Sequence, residues 1–287
     1  SIPNDVLSVA FMAKGYAHGR VSSSIDQQDI DYLRGIQRSN VVAAGVALDA
    51  ALNGTDQITK NLNSTASGRA AIVSDYGVAV ARQFDLGGVP VSVGVTPKLQ
   101  KTWVYNYTTS IYDYDSNKWN DSRYRTDDTG FNVDAGIAAD FGEHWTVGVS
   151  GQNLMSRDID TKDIRIRNGR TGEVVSYKDT YQIRPLVTAG AAWHNDLVTL
   201  TADGDLTETK GFKSEDTSQY VGVGAEVTPL SWLAVRAGYR ADVKGNDSNV
   251  FTGGVGFAPF STVHVDLMGL YGEDETWGAG AQLSMTF

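Results

Sequence analysis

The chain has 287 residues, with 24 Lys+Arg against 34 Asp+Glu, a formal net charge of −10 and no cysteine. That balance argues against a protein gripping nucleic-acid phosphates, which needs clustered Lys and Arg. The missing cysteine removes disulfides, thiolate metal sites and cysteine nucleophiles. A content of 41% hydrophobic and 20% charged residues excludes a disordered chain, and no stretch approaches the ~20 apolar residues of a transmembrane helix. The mean hydropathy of −0.25 would pass for that of a soluble protein, but membrane β-barrels evade that criterion because their spans alternate. Ser1-Ile2-Pro3-Asn4 shows no signal peptide, as expected where a targeting segment has been removed.

In chain order, a strand over 5–20 leads into a long connection, 21–65. Within it Ser24 and Gln27 form a capping box, followed by Ile25, Ile30, Leu33 and Ile36 at helical spacing. Val41 to Leu52 predicts a second helix, ending at Asn53-Gly54. From there on the period is two. Strands are predicted over 67–85, 89–112, 125–141, 144–157, 178–193, 196–207, 217–228, 232–243, 249–258, 262–271 and 276–287. In one of them Phe131, Val133, Ala135, Ile137, Ala139 and Phe141 oppose Asn132, Asp134, Gly136, Ala138 and Asp140, which gives one apolar and one polar face.

Tight turns at 85–88, 141–144, 194–195, 228–231 and 259–262 alternate with longer polar connections at 113–124, 158–178, 208–216, 244–249 and 272–276. That is the pattern of an antiparallel up-and-down barrel with one rim of turns and one of loops. The even strand count, about 12, suits an outer-membrane barrel and puts both chain ends on the short-turn rim. The loop 158–178 carries Arg157 at its start, then Asp158, Asp160, Lys162, Asp163, Arg165 and Arg167, and is expected to project into water as a hairpin.

Aromatic residues fall into two bands. Trp145 and Trp193 sit beside short turns, and Trp103, Tyr105, Tyr239, Tyr271 and Trp277 at the opposite ends, as in the interfacial girdles of a barrel. A soluble sandwich would crowd its apolar face with large aliphatics, whereas here Ala and Gly dilute it. The opposite phase brings ionisable residues inward, among them Lys98, Asp134, Arg184, Asp203, Asp205, Glu226, Arg236, Arg240 and Asp242. Both signs are present, which suggests charge pairs that narrow the lumen or that serve only to stiffen the wall. No catalytic motif emerges. His18, His144, His194 and His264 lack a placed nucleophile, and Asp113, Asp115, Asp127 and Asp128 do not match a calcium loop. The expectation is a non-enzymatic protein without metal or cofactor.

The stretch Gly77 to Gln100, above all Gly94-Val-Thr-Pro-Lys-Leu-Gln100, resembles the core of the TraF-type family of plasmid conjugal-transfer outer-membrane proteins. The likeness spans roughly 5–110. The terminal Phe287, after alternating apolar residues, resembles the signal by which outer-membrane barrels are recognised for insertion. The family is similar in architecture to FadL-type barrels, although their plug segment Asn-Pro-Ala is missing here and Pro3-Asn4 has the wrong order. The strand count gives a single barrel domain of 12 strands, or 14 with strands before Ser1, and the resemblance implies a Gram-negative outer membrane, with the C-terminus periplasmic. It implies contact with outer-membrane lipid, lipopolysaccharide, the barrel-assembly machinery and other conjugation proteins, and none with nucleic acid. It further implies an envelope role in conjugation, and the mixed inward charges add the expectation of a largely closed lumen; the alternative is a FadL-like or porin-like channel for small or hydrophobic molecules.

Overall fold

A computed structural model describes residues 7–38, 62–111, 113–118, 121–169, 171–260, 263–273 and 277–285. The predicted helix Val41 to Leu52 and the terminal Phe287 lie outside them. The elements are β1 (Ser8–Ser24), α1 (Gln27–Arg38), β2 (Thr65–Asp85), β3 (Pro90–Ser110), β4 (Arg125–Phe141), β5 (Trp145–Gln152), β6 (Arg157–Asp160), β7 (Ile164–Arg167), β8 (Val174–Tyr177), β9 (Thr180–Ile183), β10 (Leu186–His194), β11 (Val198–Asp205), β12 (Tyr220–Leu230), β13 (Leu233–Asp242), β14 (Val250–Phe260), β15 (Val263–Gly272) and β16 (Trp277–Met285). Twelve of these strands form one antiparallel sheet, in the order β1-β2-β3-β4-β5-β10-β11-β12-β13-β14-β15-β16. The remaining four make two small ribbons, β6 with β9 and β7 with β8. Among the described residues the edge strands β1 and β16 are not paired with each other.

The alternation holds strand after strand. Val93, Ile137, Val147, Val223, Val235 and Leu267 are exposed on the outer face. Asp75, Lys98, Gln100 and Asn132, in the opposite phase, are buried. Large apolar side chains outside and buried polar groups inside invert a soluble barrel, as expected where lipid surrounds the sheet. Cross-strand register lines up the aromatic residues. Tyr239 faces Phe251, Phe251 faces Tyr271 and Tyr271 faces Trp277, one row across four strands. Near the other rim Phe141 faces Trp145 and Trp145 faces Trp193.

The tight rim is built from local chemistry. At 86–89 Gly87 and Gly88 have φ of +68° and +86°, a region L side chains rarely adopt, and Asp85 Oδ1 accepts the Gly88 N–H at 2.8 Å. On the loop rim the sequence expectations shift. Residues 21–24, assigned to the loop, continue β1, so Ser24 cannot cap the helix. Asp26 does so instead, its carboxylate accepting the Gln28 N–H at 2.8 Å. Buried Asp29 then clamps α1 to the start of β2, accepting from the Asn63 and Ser64 backbone N–H groups at 2.8 and 2.7 Å.

β2 and β3 each have 21 residues, about twice what a tilted strand needs to cross a bilayer. Their loop-side ends are covered on the outside as well as the inside. On the outside Tyr114 and Tyr124 pack on Tyr107, with ring centroids 5.4 and 4.9 Å away. Tyr105, on the same face, is only 9% exposed.

The register predicts an asymmetry of substitution. Val235→Arg puts a charge on the outer face and should cost about 2–4 kcal/mol near the bilayer midplane. Ala234→Arg, in the inward phase, should cost clearly less. Unfolding titrations in lipid vesicles measure both, and equal losses would contradict a lipid-facing phase that includes Val235.

Candidate functional site

The lumen divides into two halves of different chemistry. In the loop-side half the connection between β5 and β10, residues 153–185, folds against the inward faces of β2, β3 and β4. Its backbone leaves water, so its N–H and C=O groups need partners. Wall amides supply them. Asn132 donates to the Met155 carbonyl and accepts the Met155 N–H, both at 3.0 Å. Asn106 donates to the carbonyls of Lys162 and Tyr177 at 3.0 and 2.8 Å. An amide carries both donors and acceptors, which makes it the natural side chain for docking irregular backbone on a strand.

The centre of this half is ionic. The Lys98 ammonium, almost fully buried, lies 2.9 Å from both Asp75 and Asp134. Its cross-strand partner is Gly77, where an added Cβ would stand 3.0 Å from the Lys98 Cβ, so a side chain there would crowd the lysine. Gln100 donates to Asp75 at 2.9 Å, and Asp134 accepts the Asn153 N–H at 2.7 Å. Nearby Arg157 pairs with Asp128 and donates to Gln100 at 3.2 Å.

An apolar cluster sits beside the ions. Ala71, Val73 and Val104 from the wall, with Tyr16 packed against them, meet Ile159, Tyr181, Ile183 and Phe212 from the loops. Phe212 belongs to the β11–β12 connection, which lays itself along β9. Gln182 donates to the Gly211 carbonyl and Lys213 to the Thr180 carbonyl, both at 2.8 Å. Two latches tie these loops to the wall. Arg69 lies 2.8 Å from buried Asp179, and His18 on β1 lies 3.0 Å from Glu215, which also accepts the Phe212 N–H at 2.9 Å. The segment expected to project into water therefore does so only at its tip, the β7–β8 ribbon; its base, β6 and β9, packs inward.

The short-turn half is open. Cavities of about 690 and 640 Å³ line the walls of β11–β15 and of β3–β5 with β10 and β11. A third, about 570 Å³, lies between β1 and the inward loops.

The predicted lumen charges thus have separate fates. Lys98 and Asp134 meet as described. Arg184 pairs with Asp158 of β6 at 2.5 Å. Arg236 pairs along the wall with Glu226 and with Asp266. Arg240 lies over the Tyr220 ring, 4.3 Å from its centroid. Asp205 accepts from Thr188 and from the Tyr220 N–H at 2.8 and 3.1 Å. Asp242 accepts backbone N–H groups of Gln219, Lys244, Asn246 and Asp247, organising a loop. Asp203 has no hydrogen-bond or ion-pair partner among the described residues. Of the predicted girdle, Trp145, Tyr271 and Trp277 are exposed, Trp103, Trp193 and Tyr239 are half-buried, and Tyr105 is buried.

Sequence reasoning missed Asn106, Asn132, Gln100 and the partners Ile159, Tyr181 and Phe212. The amides could have been found as long neutral side chains in the inward phase of β3 and β4. The apolar loop residues carry no periodic signal.

The family described as "F plasmid transfer operon, TraF, protein" matches residues 1–205. Among solved structures, the Ralstonia pickettii toluene transporter TbuX has a TM-score of 0.53 at 12% identity, covering 77% of this chain and 69% of that one. The P. putida toluene transporter TodX gives 0.49 at 12% identity, covering 78% and 71%. At this identity the likeness to TbuX is one of fold, an outer-membrane barrel. No curated relative matches the sequence.

The ionic centre yields a stability test. Lys98→Met leaves buried Asp75 and part-buried Asp134 facing each other without their cation and should destabilise the barrel by about 3–5 kcal/mol. Adding Asp75→Asn and Asp134→Asn should recover most of that loss. Guanidinium unfolding in detergent reads both, and a single variant as stable as wild type would contradict the buried triad.

Proposed function

The chain belongs to the F plasmid transfer operon TraF protein family, and from that premise we propose that it is a non-enzymatic envelope component of a conjugation system. It is an outer-membrane barrel whose lumen is shut on the loop side by its own connections. In this reading the short-turn rim and the C-terminus face the periplasm, where a transfer apparatus would dock, and the loops face outward. The supporting observation is the docking of residues 153–185 and of the Phe212 loop on the inward wall, through buried amides, the Lys98 triad and a shared apolar cluster. Such packing suits a scaffold that must not leak.

A second reading is a conduit for small hydrophobic molecules. The cavities of about 690 and 640 Å³ in the short-turn half favour it, as does the fold shared with a toluene transporter. The two differ in what deletion of the protein from donor cells does. Conjugal transfer should fall under the first reading; under the second, transfer is unchanged and uptake of an apolar solute falls.

The seal has its own test. Burial pushes the Glu215 carboxyl up, but the hydrogen bond to His18 and the Phe212 N–H more than offset this and hold it below its ordinary value. A carboxyl depressed on folding stabilises the structure above its unfolded pKa, and that contribution is lost as pH falls through its folded value. The latch should therefore persist while the Glu215 carboxylate is ionised and loosen as pH falls below the ordinary glutamate range. In planar bilayers the wild type should conduct little at neutral pH and open in acid, and Glu215→Gln should open more often at neutral pH. A wide, steady wild-type pore at neutral pH would overturn the sealed lumen.

A further inference from the structure

We propose that the cavity on the inner wall of β11–β15 is a binding site for a small organic cation, an alkylammonium whose charge meets Asp203. The inference goes beyond the envelope role and does not depend on the loops sealing the other half.

The register makes the site. Asp203 faces Gly190 on one side and Gly222 on the other. A Cβ at Gly222 would stand 3.3 Å from both Asp203 carboxylate oxygens, so the carboxylate, exposed to the open lumen, lies over that glycine. One row down, the hydroxyls of Thr201 and Thr252 overlie Gly224 and Gly238 in the same way, 2.8 and 2.7 Å from where a Cβ would be. One carboxylate and two hydroxyls thus border a floor of bare backbone. An ammonium has three donors and no acceptor, which this set complements. Beyond Gly254 the inward Met268 side chain, 65% exposed, offers an adaptable apolar surface for an alkyl body. The volume, about 690 Å³, lies in the range of small-molecule sites.

The charges around the cavity set the sign. Arg236 is occupied by Glu226 and Asp266, a triad that retains one excess negative charge. Arg240 neighbours Gly222 in register but stacks on the Tyr220 ring, two strands from Asp203, about 10 Å at ordinary strand spacing. Among the described residues Asp203 is then the charge of this cavity left without a partner, and it lines both this cavity and its neighbour of about 640 Å³. A carboxylate ligand would meet Asp203 and the acidic triad. A neutral one would leave Asp203 unmatched.

Isothermal titration of the detergent-solubilised protein with n-hexylammonium, hexanoate and hexanol decides the matter. Hexylammonium should bind and the other two should not, with an affinity that falls as KCl is raised. Asp203→Asn should weaken binding about tenfold or more, the loss of a charge-assisted contact. Asp203→Glu should retain most of it, and Arg240→Gln should leave it equal or tighter. Heat-modifiability confirms that each variant is folded, and the ligand comparison on wild type stands even where a variant is not. Hexanoate or hexanol binding as well as hexylammonium, or an unchanged folded Asp203→Asn, would overturn the site. Planar-bilayer conductance reads the seal separately, so either idea can fail without the other.

Discussion

An ammonium buried between two carboxylates is the interaction around which the loop-side half is organised. Charges taken out of water are tolerated only with close partners and with their remaining hydrogen-bonding capacity satisfied. Lys98 meets that demand by joining β2, β3 and β4 through Asp75 and Asp134, and the two aspartates meet it by accepting from Gln100 and from the Asn153 backbone. The last contact matters most for the architecture. Asn153 is the first residue after β5, with a positive φ of 52°, so the wall's charge balance includes the point where the chain turns inward. Ions, wall amides and the inward loop form one connected network, in which the loss of one member leaves the others unsatisfied.

The same alternation produces a different lumen in the other half. There the inward positions of β12 and β13 include Gly222, Gly224 and Gly238, and the space stays open instead of being filled. Small residues hold the wall back where large amides elsewhere hold a loop in. Along a strand the switch takes only a few residues: β3 carries Ser92, Gly94 and Thr96 inward before Lys98, Gln100 and Thr102.

The sheet was legible because strand alternation is a backbone property that every span repeats. The phase of Lys98, Asp134, Asp203 and Arg236 could be read off without knowing any contact. The loop rim was not, for physical reasons. Ser24 and Asp26 both make plausible helix caps, and only the length of β1, set by its pairing with β2 as far as Ser24↔Thr65, decides between them. Tyr105 shares the phase of a girdle residue, but a strand of 21 residues outruns the lipid, and the sequence does not say which end is left over. Arg165 and its neighbours marked 158–178 as polar, which describes the tip of that loop. The base is anchored by Ile159, Tyr181 and Ile183, three residues whose meaning depends on Phe212, a residue of another loop.

Ion pairing alone could not fill the loop-side half of this lumen. Neighbouring strands lie about 4.8 Å apart, and among the described residues the lumenal ion pairs between sheet strands join adjacent strands or the next but one. Arg236 on β13 does this, reaching Glu226 on β12 and Asp266 on β15. Such pairs run along the circumference and stiffen the wall without spanning the space it encloses. Asp203 and Arg240, separated by the bare Gly222, do not meet even at two strands' distance. What fills the loop-side half of this lumen brings its own backbone, and a backbone inside must be hydrogen-bonded. The connections at 153–185 and 206–219 satisfy both conditions at once, pairing with each other through Gln182, Gly211, Lys213 and Thr180 and with the wall through Asn106 and Asn132. The amides in the inward phase are thus a better guide to where such a barrel is filled than its charges, which mark where the wall is braced.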